Sequence, residues 1–158
     1  MLVQLILATL MVLFIVVIHL TGLALLTRLL RSHSRLMRSV RIFPLTLLLL
    51  AAIGLIGIHT LEIWLYAGTY LEFGAFRTFE EALYFSTVTY STLGYGDMVL
   101  SKEWRVFGAI EAPVGIMMLG WSTAYLVSVL SRLKLFSHDW LTGVSERDAD
   151  WAGPPGGA

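Results

Sequence analysis

The stretch Thr92-Leu93-Gly94-Tyr95-Gly96-Asp97, TLGYGD in one-letter code, contains two glycines separated by one residue. Glycine adopts backbone angles that a Cβ excludes, so this stretch can take a shape closed to ordinary helices and strands. Long apolar segments lie on both sides of it, near residues 44–67 and 104–131. The stretch is therefore expected to form a loop, neither helix nor strand, between two apolar helices.

The composition predicts an integral membrane protein. Of the 158 residues, 57% are hydrophobic and only 14% are charged, and the mean hydropathy is +0.77. A soluble domain of this length does not have such a composition. The absence of cysteine excludes disulfides and cysteine metal sites. Since no motif for nucleotide binding or nucleophilic catalysis occurs, we expect no enzymatic activity, no cofactor and no nucleic-acid partner.

Three apolar segments are long enough to cross a bilayer, which takes about 20 helical residues. They lie near residues 2–27, 44–67 and 104–131. The first has no basic residue ahead of its apolar run, unlike a secretory signal, so we interpret it as a retained membrane helix.

Five arginines and no acidic residue lie between the first two apolar segments: Arg28, Arg31, Arg35, Arg38 and Arg41. The positive-inside rule places this linker in the cytoplasm. The amino terminus is then outside, residues 68–101 are external, and the carboxyl terminus is cytoplasmic in a cell membrane. The spacing is also typical of a voltage-sensor helix, but these arginines follow the apolar run and the first helix has no acid. Contact with anionic lipid is the favoured interpretation.

Residues 78–91 are too few to span a membrane but suit a half-crossing helix. Thr78 and Glu81 have the spacing of a capping box, and Glu80 and Glu81 suit the positive end of a helix dipole. The helix would enter from the outer surface and point its carboxyl end, with partial negative charge, into the middle of the membrane.

These features resemble potassium channels of the pore-helix, filter and inner-helix type over residues 44–131, with one additional N-terminal membrane helix ahead of a bacterial-type pore. TLGYGD is similar to the TVGYG loop whose carbonyls replace the hydration shell of K⁺. The resemblance implies that K⁺, as permeant ion, binds at the filter residues Thr92, Leu93, Gly94 and Tyr95. It implies filter support from Gly96, Asp97, Thr87, Thr89, Tyr84 and Phe85, with Tyr84 and Phe85 as candidate partners of Tyr95.

One filter loop per chain supplies a quarter of an ion cage, so the resemblance implies a homotetramer with cyclic symmetry. The expected fold is an all-α membrane protein with three transmembrane helices, a re-entrant pore helix and a filter loop in a tetrameric pore. We divide the chain into residues 1–43, an N-terminal helix and basic linker, residues 44–134, the pore domain, and residues 135–158, a polar tail expected to be disordered.

The pore helix departs from the family pattern around Asp97. Val88 stands where some bacterial channels place a glutamate that bonds the filter aspartate, and Tyr84 and Phe85 replace a tryptophan pair. Asp97 is therefore expected either to find another partner or to remain solvated.

Several residues are candidates for gating. Gly115 and Gly120 serve either close helix packing or a bend, and Pro113 predicts a kink. Glu111 is an acid deep in the third span, which is costly and so a functional candidate. Three roles stay open for it: a bond to the pore helix through Thr87 or Thr89, a source of negative potential near the ion path, and a protonated or hydrogen-bonded structural acid. The remaining candidates, His59 and Glu62, are expected near the outer end of the second helix, as a hydrogen-bonded pair or a sensor of external pH. His19 is expected to make a structural polar contact.

The predicted function is passive, selective conduction of K⁺ across the membrane. Two alternatives stay open: a non-conducting membrane subunit that modulates other channels, and a weakly selective cation channel. The intact Gly94 and Gly96 argue against the first, and the unsubstituted Tyr95 and Gly96 argue against the second. Because no ligand-sensing module is recognised, regulation by a ligand would require a separate subunit.

Overall fold

Four helices form the part of the chain that the structure, a computed structural model, describes: residues 2–36 and 43–132. They are α1 (Leu2–Leu36), α2 (Phe43–Glu72), α3 (Phe79–Tyr90) and α4 (Arg105–Arg132). Within those residues there is no strand, and the predicted all-α fold is confirmed.

Three of the helices are long and apolar enough to cross a membrane: Leu2–Ser32, Leu45–Glu72 and Arg105–Ser131. The three predicted spans are thus confirmed, but α1 is longer than expected. Arg28 and Arg31 continue the helix instead of opening a linker, because arginine and leucine are good helix formers and no glycine or proline interrupts them. Arg38, Arg41 and the predicted tail at 135–158 lie outside the described residues.

The helices pack into one bundle in which α3 lies between α2 and α4, while α1 lies against α2 and α4. Small residues allow α1 and α2 to approach closely, since a Cβ on Gly54 would lie 2.5 Å from Leu26 Cδ1. Between α1 and α4, the Thr27 and Tyr125 hydroxyls lie 3.0 Å apart. The additional N-terminal helix is therefore an integral part of the bundle.

The interior combines aromatic rings with polar groups, whereas much of the outer surface is apolar. Tyr70 packs edge-on against Phe85 and Phe107, with ring centroids 5.3 and 5.5 Å away. Exposed apolar side chains along α2 suit a lipid environment, where no water competes for contact. The buried polar residues are His19, Glu62, Ser86, Glu111 and Ser122. Polar groups in such a place are costly, so their partners are informative.

Candidate functional site

The short helix α3 begins with the predicted capping box. The Glu81 amide donates to Thr78 Oγ1 at 3.2 Å, and Glu81 Oε2 accepts from the Thr78 amide at 3.3 Å. Each side chain satisfies a backbone donor that the start of a helix leaves unpaired. Glu80 and Glu81 occupy the first turn, where the helix dipole favours negative charge. Local sequence therefore fixes where this helix starts.

The loop after α3 is tied to the carboxyl end of the helix. The Thr92 amide donates to the Thr89 carbonyl at 2.9 Å, and the Leu93 amide donates to the Val88 carbonyl at 3.0 Å. The amide of Gly94 also reaches the Val88 carbonyl, at 3.3 Å. The helix end thus holds the first three residues of the TLGYGD stretch.

The sign of φ alternates along this loop. It is positive at Thr92 (61°), Gly94 (56°) and Gly96 (75°), with Leu93 and Tyr95 between them on the negative side. Alternating handedness brings successive peptide groups to the same side of the chain. Glycine takes these angles easily, but positive φ is strained for a β-branched residue such as Thr92. Sequence analysis predicted the unusual backbone angles of the two glycines but not the positive φ of Thr92.

Asp97, at the end of the loop, has a partner in α3. The Tyr84 hydroxyl donates to Asp97 Oδ2 at 2.6 Å, and the Met98 amide donates to Oδ1 at 3.1 Å. The hydrogen bond from Tyr84 holds the pKa of Asp97 below its usual value. Tyr84 therefore supplies a hydrogen bond to Asp97 that Val88 cannot make and that no tryptophan is present in α3 to make.

Glu111 is fully buried and joins three helices. Ser86 Oγ of α3 donates to Oε1 at 2.6 Å, and the Tyr70 hydroxyl of α2 donates to Oε2 at 2.6 Å. The prediction that Glu111 bonds Thr87 or Thr89 is wrong. Ser86 and Tyr90 are four residues apart on the buried face of α3, whereas Thr87 is exposed and its hydroxyl donates to the carbonyl of Leu83.

His59 and Glu62 meet as predicted, but within a larger group. His59 Nδ1 lies 3.1 Å from Glu62 Oε2, and His19 Nδ1 of α1 lies 2.9 Å from Glu62 Oε1. The Tyr90 hydroxyl donates to Glu62 Oε2, and His59 Nε2 lies 2.9 Å from Ser122 Oγ of α4. The polar contact predicted for His19 is therefore with Glu62.

The expected place of this group at the outer end of α2 is wrong. His59 and Glu62 lie near the middle of the span Leu45–Glu72, and Glu62 is fully buried. The error arises because α2 continues to Glu72, five residues beyond the predicted end. Tyr90 was not among the predicted site residues, although a tyrosine at the end of a membrane-buried helix needs a polar partner.

The two glycines of α4 have different surroundings. A Cβ on Gly115 would lie 2.1 Å from the carbonyl oxygen of Tyr90, whereas a Cβ on Gly120 would meet nothing within 4 Å. Gly115 therefore permits close packing of α4 against the end of α3. Helix α4 continues through Pro113.

Comparison with known proteins gives a family match. A family model described as an ion channel matches residues 45–132, which run from the start of α2 to the end of α4. Neither the curated proteins nor the solved structures contain a match to the chain.

Proposed function

The chain belongs to the ion channel family, and on that basis we propose that it conducts K⁺ selectively and passively through a homotetrameric pore. The observation that carries the potassium assignment is the loop at 92–96, whose φ alternates in sign and whose start is tied to the end of α3. A loop of this kind supports a row of carbonyls directed at one ion path.

We assign the ion sites to the carbonyls of Thr92, Leu93, Gly94 and Tyr95, with the Thr92 hydroxyl at the inner end. Such oxygens replace the water that K⁺ loses on entry. The carboxyl end of α3 adds partial negative charge behind the loop. Gly96 gives the backbone its positive φ after the last site, and Asp97, tied to Tyr84, makes the outer mouth acidic.

Four chains are needed because one loop supplies a quarter of the oxygens that surround the ion. Leu93 is 57% exposed and Tyr95 65% exposed within the single chain. Side chains of this size next to a membrane pore are expected to pack against other protein, and neighbouring copies in a symmetric ring provide that contact. On α4, Ile116 and Leu119 are also exposed. We assign both surfaces to contacts between neighbouring chains.

The orientation follows from the arginines. With Arg28, Arg31, Arg35, Arg38 and Arg41 on the cytoplasmic side, the loop at 92–97 opens to the outside of the cell membrane. The exposed guanidinium of Arg28 is available to anionic lipid headgroups. A regulatory subunit, if the channel has one, would be a separate chain.

The function is tested by ion flux from purified protein in liposomes. The parent, Gly96→Ala and Gly57→Ala are compared under K⁺ and Na⁺ gradients. An alanine at the positive φ of Gly96 costs about 1–2 kcal/mol in every chain, so K⁺ flux should fall at least about tenfold. Gly57 lies in α2, and a Cβ there meets nothing within 4 Å, so Gly57→Ala is the matched control and should keep its flux.

The result expected is K⁺ flux with little Na⁺ flux, lost in Gly96→Ala only. Equal flux of the two ions would replace the proposal with a weakly selective cation channel. No flux from cross-linked tetramers over a range of pH and voltage would replace it with a non-conducting modulatory subunit.

A further inference from the structure

Three side chains that bind metals meet where α1 and α2 cross. His19, His59 and Glu62, here called the His-His-Glu cluster, each offer one ligand atom, and these atoms lie within 4.8 Å of one another. His19 and Glu62 are fully buried, and the side chain of His59 is 13% exposed. The cluster lies near the middle of both spans, outside the ion-conducting loop.

Two imidazoles and one carboxylate form a typical ligand set for Zn²⁺ and related divalent ions. Around a tetrahedral Zn²⁺ with metal–ligand distances of about 2.0–2.2 Å, any two ligand atoms lie about 3.3–3.6 Å apart. The ligand atoms of the cluster, which lie within 4.8 Å of one another, therefore have to move closer by up to about 1.5 Å to bind such an ion. His59 and Glu62 are three residues apart on one helix, so this part of the site is fixed by α2.

Within the described part of the chain, His19 has one ring nitrogen bonded within the cluster and one without a partner. Among the residues that the structure describes, its Nε2 atom is buried and has no hydrogen-bond partner. Buried polar atoms are normally paired, and an unpaired one marks a place for an ion or a water. Nδ1 of the same ring already bonds Glu62. The two nitrogens point to different sides of the ring, so Nδ1 is the one that faces the carboxylate.

We propose that the His-His-Glu cluster is a binding site for Zn²⁺ or a similar divalent transition metal. The ion would join α1 to α2 through protein ligands from both helices. A candidate fourth ligand is close by, since the Tyr90 hydroxyl lies 3.1 Å from His59 Nδ1 and donates to Glu62. Tyr90 is the last residue of α3 and precedes Thr92 by two residues, so an ion here would act on the base of the loop.

The site goes beyond the proposed conduction and is tested by binding alone. His33 and His138, the other two histidines of the chain, are first changed to glutamine, and purification uses a tag without histidine. Co²⁺ serves as the probe, because its visible absorption reports the coordination by protein ligands. Zn²⁺ is then added to displace it, and bound metal is counted by elemental analysis after desalting.

The decisive variants are His19→Gln and Glu62→Gln, with Glu72→Gln as matched control. Glu72 lies on the same helix and is exposed, so its substitution makes the same chemical change away from the cluster. We expect one Co²⁺ per chain in the parent and in Glu72→Gln, and at least about tenfold weaker binding in the other two. Circular dichroism and size-exclusion chromatography check that each variant is folded.

His19→Gln keeps the proposal testable if Glu62→Gln fails to fold, because Glu62 then keeps His59 and Tyr90 as partners. Saturable binding that disappears in the folded His19→Gln variant supports the site. A parent that binds no Co²⁺, or a His19→Gln variant that binds it as tightly as Glu72→Gln, overturns the proposal and leaves the cluster as a hydrogen-bonded network. Neither result depends on whether the protein conducts K⁺.

Discussion

At the scale of single residues, the contact between Tyr84 and Asp97 shows how this chain departs from the pattern it resembles. The Tyr84 hydroxyl reaches the Asp97 carboxylate at 2.6 Å, across 13 positions of sequence. A phenol is a good hydrogen-bond donor, and donation to the charged form of a carboxyl favours that form. One tyrosine on α3 thus holds the end of the loop in place and favours the charged form of its aspartate.

Tyr84→Phe is expected to raise the pKa of Asp97 toward the usual value of an aspartate, because it removes the main interaction that lowers it. A lowered pKa stabilises the folded state above the pKa of the unfolded chain, and this contribution disappears as pH falls through the lower, folded-state pKa. In Tyr84→Phe, Asp97 is therefore protonated at a higher pH than in the parent. The measurement is the pH titration of the Asp97 carboxyl carbon by NMR.

Tyr125→Phe is the control, since it makes the same change at a hydroxyl that contacts Thr27. If the Asp97 titrations of the parent and Tyr84→Phe coincide, the hydrogen bond does not set this pKa.

At the scale of helices, α3 is held on its buried face by two carboxylates from different neighbours. Ser86 donates to Glu111 of α4, and Tyr90 donates to Glu62 of α2. Each buried carboxylate also has a second donor or ring nitrogen nearby, so its cost of burial is offset by hydrogen bonds. Close packing of Gly115 against the Tyr90 carbonyl completes the contact.

Gly115→Ala is expected to destabilise the protein by about 1–3 kcal/mol, the usual cost of overpacking, and to lower ion flux. The added Cβ would lie 2.1 Å from the backbone of Tyr90, which cannot move without shifting the end of α3. Gly120→Ala meets open space within the chain and is the matched variant; the better helix propensity of alanine should leave stability unchanged or slightly higher. Denaturation with sodium dodecyl sulfate measures the stability of both variants, and liposome assays measure their ion flux. Equal stability of the two variants would argue against the packing role.

At the scale of the whole molecule, the family match covers α2 to α4, while α1 lies outside it. Contacts from His19 to Glu62 and from Thr27 to Tyr125 nevertheless connect α1 to the matched part. The buried carboxyl group of Glu62 depends on this helix for one of its partners. The unit that folds is therefore the complete bundle.

The membrane orientation can be tested directly because the chain contains no cysteine. Lys102 lies exposed between α3 and α4, and Ser39 belongs to the basic linker between the first two spans. Lys102→Cys is expected to react with a membrane-impermeant maleimide added to intact cells, and Ser39→Cys only after lysis. The opposite labelling pattern would place the loop at 92–97 on the cytoplasmic side.

Local sequence patterns are enough to predict the helices and the loop. The three spans follow from long apolar runs, the start of α3 follows from Thr78 and Glu81, and the need for positive φ follows from Gly94 and Gly96. These features are local, because hydropathy, capping and backbone freedom act over a few neighbouring residues. The predicted ends of the helices were less accurate. The first span was expected to end near residue 27, but nothing in the basic residues after that position breaks a helix.

Which polar residues meet depends on how the helices pack and could not be predicted from local sequence. Glu111 bonds Ser86 where Thr87 or Thr89 was predicted, and Glu62 brings together two histidines 40 positions apart in sequence. A rotation of about 100° per residue separates neighbours on a helix, so which side chain reaches a partner depends on how the helices pack. Packing of distant segments is a property of the bundle, and no local pattern contains it.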